Sequence, residues 1–446
     1  MAQRTSLPMI VNTRPRIVVI GGGFAGASCA QALQKHLRRG NADVLVIDPN
    51  NYFVFTPLLV EAGIGSLEPR HVIVPIRQFL SRRTRFRMAQ VLSVDIKAQK
   101  VSYRIVGEQE TRVAEYDHLV VAPGSVTSLP PVPGLREHAY QIKTLADAVA
   151  LRDRAIQMLE RANVAPDEKT KHALLHFVVV GANYSGVETA GEFNEFLRAG
   201  ARQYRNLKPS DIRVTLVERL PRILPTSAPG LAAYALRKLR EAHLDVRLES
   251  TIKQIAPDHA LLHDGERLDT HTVVWAAGIA QNPLAKALPV PQDERGYLLC
   301  EPDGRVKGCN SVWAIGDCAV NPKPGGGTYP PTAQAAVRQG PALAKNLARA
   351  LAGKDTKPLR FIDWGATSAI GCRNAVAEIK GIRLSGIAAW WLWRTIYLMK
   401  MPTFSRKVRV AIDWTLALFF RRDVVQLGIH PRGLTPPEEE GKGPHR

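Results

Sequence analysis

Gly21, Gly23 and Gly26 stand as G-x-G-x-x-G between the β-branched run IVVI and an alanine-rich stretch of helical texture. In such a motif the first glycine turns the chain tightly and the second lets the backbone approach a pyrophosphate. The third lets helix and strand pack closely, while the helix N-terminus supplies N–H donors and positive potential. Asp48 closes the next strand, ADVLVID, 22 residues after Gly26. A carboxylate there accepts hydrogen bonds from ribose hydroxyls. The set predicts a dinucleotide site, with Phe24 and Ala25 inside its turn.

A second opening follows about 160 residues later, where Gly181, Asn183 and Gly186 read G-x-N-x-x-G after FVVV, with Ser185 inside the turn. Asn tolerates unusual backbone conformations, but its side chain is expected to take up space that a pyrophosphate would use. Glu218 ends the next strand, IRVTLVE, in the ribose-reading position. A carboxylate there repels a 2′-phosphate, so NADH is preferred to NADPH. Arg219, directly after it, reads as a solvated surface cation. A third apolar run, SVWAIGDCAV, reaches Asp317 and precedes a helix predicted from about Thr332 to Leu351. Strands alternating with amphipathic stretches predict an α/β fold of mostly parallel sheets, in which one nucleotide-binding unit is inserted in the other. The Pro-rich segment Leu129–Gly134 marks one crossing, and a second lies near Asn282–Gln292.

A chain of 446 residues has room for about three such units. With 22% charged and 45% apolar residues it is no wholly disordered chain. Lys and Arg number 60 against 40 Asp and Glu, an excess of +20 that calls for a polyanionic partner: nucleic acid, an anionic membrane surface or an acidic substrate. Cys29, Cys300, Cys309, Cys318 and Cys372 form no C-x-x-C pair. This disfavours a disulfide scaffold, a zinc ribbon or an iron–sulfur site and points to a reducing compartment. Cys29 reads as a packed core residue. The histidine spacing is read as giving no metal site. The N-terminal MAQRTSLPMIVNTRPRI lacks the apolar core of a signal peptide, and no run of about 20 apolar residues suggests a membrane span.

Two dinucleotide units on one chain resemble the two-dinucleotide-binding flavoprotein superfamily, with its glutathione-reductase-like fold. VWAIGDCA resembles the late flavin motif, in which Asp317 would hydrogen-bond the ribityl chain. YDHLVVAPGS, Tyr116–Ser125, resembles the strand-and-glycine motif linking the nucleotide domains; Gly124 matches it, with Pro123 where Thr is common. TVVWAAGIAQNP, Thr272–Pro283, resembles the matching element of the NADH domain and contains Gly278. Most specific is NYFVFTPLLVEAGIGSLEPRHVIVPIR, Asn51–Arg77, which strongly resembles a segment of type II NADH:quinone oxidoreductases. YPPTAQAAVRQG, Tyr329–Gly340, resembles that family's motif beside the flavin ring and quinone site; Gln334 matches its first glutamine, whereas Arg338 replaces the second, with Gln339 next to it.

The resemblance, which runs from about Arg16 to about Asp423, implies a bound FAD held by Gly21, Gly23, Phe24, Ala25, Gly26, Asp48, Gly124, Asp317, Ala333 and Gln334. It implies NADH at Gly181, Asn183, Ser185, Gly186, Glu188, Glu218 and Gly278, and a membrane quinone at Pro57, Gln334 and Arg338. Glu188 and Gln334 are the implied catalytic residues. The alternatives are that Glu188 is an ordinary first-turn acid favoured by the helix dipole, and that Gln334 caps its helix. The implied activity is hydride transfer from NADH to FAD, then two electrons to quinone, without proton pumping. The corresponding domains are 14–130 and 291–372 for FAD and 131–290 for NADH, followed by an amphipathic, membrane-anchoring helical region at 373–427 and a disordered tail at 428–446.

Between Arg373 and Arg422 ten cations face only two acids, interleaved with Trp390, Trp391, Trp393, Tyr397, Trp414, Phe419 and Phe420. Cationic flanks and clustered Trp on short helices suit the membrane interface and an anionic lipid surface. A buried homodimer interface is the bland alternative, and no nucleic-acid fold accompanies the basic segment. NADH is intracellular, so a peripheral position on the cytoplasmic face of the inner membrane is expected. Three rival functions remain: a sulfide:quinone oxidoreductase, disfavoured by the lack of cysteines between Cys29 and Cys300; a flavin-binding protein that has lost NADH binding, favoured only by Asn183; and an NADH-dependent reductase of a soluble electron carrier.

Overall fold

The computed structural model describes residues 14–37, 42–361 and 365–428. The tail expected from 428 onward lies outside them except for Gly428, as do residues 1–13 of the N-terminal stretch. The described residues fall into two compact units, one within Met1–Phe53, Pro75–Ser125 and Gln281–Ile362, the other within Val54–Val74, Val126–Ala280 and Asp363–Arg446.

In the first unit the run Arg16–Ile20 is an interior strand of a seven-stranded sheet. It pairs in parallel with Asp43–Asp48 on one side and with His118–Val121 on the other. Val312–Ala314 extends the sheet beyond His118–Val121, and Thr84–Asp95 extends it beyond Asp43–Asp48. Near-continuous burial of Ile17–Ile20 is what a strand covered on both faces requires, and it explains the unbroken β-branched sequence. The helix Phe24–His36, with Ala25, Ala27, Cys29, Ala30 and Ala32 buried, packs against the helix Ala333–Leu351. The approach is very close. A Cβ on Gly340 would lie 2.7 Å from both the Ala25 carbonyl oxygen and the Cys29 nitrogen.

The second unit carries an all-parallel five-stranded sheet with His176–Val180 at its centre, flanked by Arg213–Val217 and Thr272–Trp275. The long helices Leu145–Asn163 and Tyr184–Ala201 cover one core of this unit. A three-stranded antiparallel sheet, Ile252–Asp269, helps close the other.

The C-terminal region of this unit differs from the helices expected over 373–427. Three antiparallel strands come first, Gly365–Ala369, Ala375–Ile379 and Ile382–Ser385. The expected helices follow as Gly386–Lys400 and Phe404–Phe419. Residues 421–428 are then a non-helical strap: the buried Asp153 carboxylate accepts from the Leu427 and Gly428 amides at 2.8 and 2.9 Å, and Arg152 donates to the Asp423 carbonyl at 3.0 Å. Among the described residues no helix is long and apolar enough to cross a membrane.

The Gly340 contact yields a stability prediction. Gly340→Ala is expected to lower unfolding free energy by about 1–3 kcal/mol, because backbone atoms on the facing helix must move. A thermal melt of the flavin-loaded protein, superimposable on that of the wild type, would show that the two helices have slack.

Candidate functional site: two dinucleotide cradles and an enclosed acid

Each unit turns from strand to helix through the same strained geometry. Gly21 has φ +98°, and a Cβ on it would lie 2.1 Å from the Ala122 carbonyl oxygen; Gly181 has φ +97°, and its Cβ would lie 2.7 Å from the Ala277 Cα. A Cβ on Gly26 would meet the Gly21 oxygen at 2.0 Å, and one on Gly186 would meet the Gly181 oxygen at 1.7 Å. Only glycine satisfies these four positions.

The acids at the ends of the neighbouring strands lock both turns. Asp48 accepts from the Gly22 amide at 2.7 Å and from the Asn50 amide at 2.7 Å. Burial outweighs these bonds and raises its pKa. Glu218, buried, accepts from the Ala182 amide at 2.5 Å and from the Leu220 amide at 2.9 Å. A carboxylate has about four lone-pair directions, so both acids keep acceptor capacity for a ribose. Arg219 is exposed, as a solvated cation would be.

The middle position of each motif needs no glycine conformation: Gly23 has φ −76° and Asn183 φ −73°. A Cβ at Gly23 would enter open space. That open cradle, with Asp48 behind it, fits the pyrophosphate and ribose of a dinucleotide. Asn183 does not project freely into the corresponding space. Its Oδ1 accepts from the Gly186 amide at 3.0 Å, capping the helix Tyr184–Ala201, and its Nδ2 donates to the Ala276 carbonyl at 2.9 Å. Both ends of its amide are spent on the chain.

In the first unit Gly316, φ +78°, brings the next turn to within 3.0 Å of Ala25 Cβ, measured from its own missing Cβ. The Asp317 carboxylate accepts from Ser125 Oγ at 2.9 Å, beside Gly124, whose φ is +73° and whose Cβ would meet nothing. The Phe24 ring packs on Phe53 with centroids 5.8 Å apart. Ala333 and Gln334 open the helix Ala333–Leu351, and Thr332, not Gln334, caps it by accepting from the Ala335 amide at 3.2 Å. Buried Gln339 accepts from the Gly316 amide at 2.7 Å, while Arg338 is half-buried. Gln339 thus ties this helix to the Asp317 turn.

In the second unit Gly278, φ +84°, accepts from the Ser128 amide at 3.2 Å, and Ser185 is exposed on the first turn of its helix. Glu188 sits one turn further in, since the helix begins at Tyr184, so it is not a first-turn acid. Its Oε1 accepts from the Ala369 amide at 3.2 Å. Although the residue keeps some exposure, its carboxyl is enclosed, and burial pushes the pKa up to about 8, helped by Glu192 and Glu61. The close crossing that permits this contact is again glycine-made: a Cβ on Gly191 would lie 2.4 Å from the Ile370 oxygen.

Tyr397, from the helix Gly386–Lys400, adds a buried phenol that interacts with Glu188 and accepts from Thr367 Oγ1 at 3.4 Å. Its ring packs edge-on against Phe55, two residues before the half-buried Pro57. Beyond Glu188 lies a charge network. Burial raises the pKa of Glu192 and of Glu61. Arg422 lies 3.6 Å from Glu192 and 3.2 Å from Glu195. Glu61 accepts from Trp414 Nε1 at 2.7 Å and lies 3.9 Å from Arg394.

A family model described as pyridine nucleotide-disulphide oxidoreductase matches residues 15–340, and one described as NDH2 C-terminal domain matches residues 364–423. A probable NADH dehydrogenase of Dictyostelium discoideum is 31% identical over 417 residues, covering 92% of this chain and 90% of that protein. The type II NADH:quinone oxidoreductase NdhA of Mycobacterium tuberculosis is 30% identical over 430 residues, covering 93% and 89%. The chain belongs to the type II NADH:quinone oxidoreductases. The structure of NDH2 from Plasmodium falciparum in complex with NADH has the same fold, with a TM-score of 0.86 at 20% identity over 93% of this chain and 100% of that one.

In this type II chain the thiols are not paired for redox work. Burial pushes Cys29 and Cys318 up to about 12 and Cys372 up to about 11, so none is a ready thiolate. Two H-x-x-x-H spacings do occur, His172–His176 and His259–His263, which the histidine reading passes over. His176 lies on a strand, with its ring nitrogens on the Asp269 carbonyl and Thr215 Oγ1 at 2.8 and 2.9 Å. Among the described residues no group of three His, Cys, Asp or Glu is placed to hold a metal.

The sequence-predicted residues therefore separate by unit. Gly21, Gly23, Phe24, Ala25, Gly26, Asp48, Gly124, Asp317, Ala333, Gln334 and Arg338 are in the first, while Pro57, Gly181, Asn183, Ser185, Gly186, Glu188, Glu218 and Gly278 are in the second. Missed were Gln339, Tyr397, Glu61, Glu192, Arg394 and Arg422. One signal was available: Glu188, Glu192 and Glu195 recur at i, i+4 and i+7 on one helix face.

Because the Asn183 amide is spent on the chain, Asn183→Gly should leave the KM for NADH within about twofold, the size of an Asn-to-Gly cap change. A variant that bound NADH ten times more tightly would show that the side chain does obstruct the dinucleotide.

Proposed function

We propose that this chain is a membrane-associated enzyme that oxidises NADH and reduces a membrane quinone through bound FAD, without pumping protons. The pair of cradles carries this reading: two glycine turns on one chain, each backed by a ribose-reading carboxylate. Bound FAD supplies the two-electron chemistry, accepting a hydride from NADH and passing the electrons to quinone. Gly21, Gly23, Phe24, Ala25, Gly26 and Asp48 hold its adenosine pyrophosphate, and Gly124, Asp317, Ala333 and Gln334 its remaining part. Gly181, Asn183, Ser185, Gly186, Glu218 and Gly278 bind NADH, and the Glu218 carboxylate disfavours a 2′-phosphate.

Pro57, Gln334 and Arg338 are assigned to the quinone; a guanidinium at Arg338 can donate to a quinone carbonyl where the family pattern has glutamine. Glu188 holds a proton at neutral pH, because its enclosed carboxyl has a pKa near 8. It is the group to deliver a proton to reduced quinone, with Tyr397 as its aromatic neighbour.

Association with the membrane rests on the last helix, and its cytoplasmic face on NADH being intracellular. Phe404, Val408, Ile412, Leu416 and Phe419 are all exposed at roughly one-turn intervals, an apolar row that water solvates poorly and a lipid interface buries. No partner beyond quinone and anionic lipid is required, although a homodimer would be compatible with the cradles.

Two experiments test the reading. Under anaerobic conditions NADH should bleach the flavin band and a short-chain quinone should restore it. A flavin reducible by dithionite but not by NADH would remove the NADH half of the proposal. In Glu188→Gln, quinone reduction should slow by roughly 10²-fold, the span of a lost general acid. The wild-type rate should fall as pH rises past about 8, where Glu188 loses its proton, and the variant should lack that limb. Unchanged quinone kinetics in the variant would strip Glu188 of the role.

A further inference from the structure

Where the turn Pro69–His71 meets the helix Phe404–Phe419, four side chains line a cavity of about 240 Å³: Arg70, His71, Arg406 and Arg409. None of the four is acidic. Two of them are held in place by the chain itself. Arg406 Nη1 donates to the Arg70 carbonyl at 2.9 Å, and His71 Nδ1 lies 2.5 Å from Asp413 Oδ2. Asp413 also accepts from the Glu68 amide at 3.1 Å, and Arg409 Nη1 lies 3.5 Å from His71 Nε2. The nearby carboxylates pair with two of the four, Asp413 with His71 and Glu68 with Arg70 Nε at 2.9 Å, which leaves Arg406 and Arg409 as the cations open to an anion. Neither lines the cavity. Burial lowers the pKa of Arg406, and the like charges of Arg409 and Arg70 lower it further.

The position of the cluster on its helix identifies the anion. At about 100° per residue, Phe404, Val408, Ile412 and Leu416 span one exposed face. Arg409 and Arg406 follow at its edge, before the buried Val410 and Trp414. A cationic pocket bordering an apolar row matches an amphiphile whose phosphate lies beside its acyl chains. A free phosphate would have no use for the row, and a nucleic acid would meet exposed Phe and Ile where it needs polar or stacking contacts. Arginine forks suit phosphate oxygens bidentately.

We propose that Arg70, His71, Arg406 and Arg409 form a discrete binding site for the headgroup phosphate of an anionic phospholipid, seated at the edge of the apolar row. The site rests on the membrane association argued above but adds to it. A diffuse surface charge would be indifferent to which cations are removed, whereas a site is not. It also recruits Arg70 and His71, more than 300 residues upstream of the basic C-terminal segment.

The test uses the flavin-loaded, full-length enzyme and co-sedimentation with vesicles of phosphatidylcholine, with and without phosphatidylglycerol, at moderate salt. Arg406→Gln/Arg409→Gln is compared with Lys407→Gln/Arg421→Gln, which removes the same charge outside the cavity. The first pair should lose about tenfold more of the phosphatidylglycerol-dependent binding than the second. Flavin content and melting midpoint check folding, and Arg70→Gln, on an exposed side chain, repeats the comparison should the double variant fail to fold. Equal losses in both pairs overturn the site and leave only a surface potential. Failure of the wild type to bind vesicles of either composition overturns the membrane reading and the site with it. If inorganic phosphate raises the melting midpoint of the wild type but not of Arg406→Gln/Arg409→Gln, while both pairs bind vesicles alike, the pocket takes free phosphate and the lipid assignment is overturned.

Discussion

The closest approach in each unit is between a helix and the strand that precedes it, and the placement of the remaining site residues follows from it. With the Gly21 oxygen 2.0 Å from the missing Gly26 Cβ, and the Gly181 oxygen 1.7 Å from the missing Gly186 Cβ, each helix starts directly over its own strand end. The unpaired amides of a helix's first turn are thereby presented at the carboxyl end of a parallel sheet, where ligands of such sheets bind. The same geometry places the amide of the residue after the first glycine against the acid of the next strand, Gly22 on Asp48 and Ala182 on Glu218. Each acid therefore fixes the turn and keeps acceptor capacity on the same carboxylate. Replacing it would disturb the cradle's shape as well as its preference.

The second unit adds a constraint of a different kind, a set of charges held away from water. Glu188, Glu192 and Glu61 are all raised by burial. Two arginines from the C-terminal segment, Arg394 and Arg422, are the opposing charges. Such pairs stabilise little, because desolvation consumes most of the Coulomb energy, but breaking one strands a charge and costs several kcal/mol. Arg394 keeps an Nε without a partner and lies between the indoles of Trp390 and Trp414, at 3.9 and 4.9 Å from their ring centres. The network is better understood as a device for register. It joins the C-terminal segment to Glu61 and Glu192 in the same arrangement that brings Tyr397 beside Glu188.

Legibility in the sequence divides along the same line. The cradles were readable because every element of them is local: strand, turn, helix and acid fall within a few dozen residues, and glycine has a unique conformational meaning there. The charge network was not, because Glu61, Glu192, Arg394 and Arg422 come together only through tertiary packing, and no spacing pairs them. The strands Gly365–Ser385 were hidden by a glycine-punctuated sequence whose cations suggested a basic helical arm. Gln339 was named only as a neighbour of Arg338, and its buried contact with Gly316 shows why a glutamine stands there. Asn183 was read as volume alone, and its cap on the Gly186 amide was not legible because it depends on the turn's geometry.

The tryptophans bear on how the C-terminal helices are held within their unit. Clustered Trp between cations suggests an interfacial belt, yet Trp390, Trp393 and Trp414 are buried, and only Trp391 is half-exposed. The indoles of Trp390 and Trp414 pack on Arg394, and Trp414 donates to Glu61, so they fasten the helices to the rest of their unit. The second helix turns Phe404, Val408, Ile412, Leu416 and Phe419 outward instead. A helix fastened on one face by indoles and an arginine, and apolar on the other, cannot roll to expose its inner face without stranding Glu61. The orientation of the apolar row relative to Glu188 is therefore set by the protein's own interior, before any lipid is present.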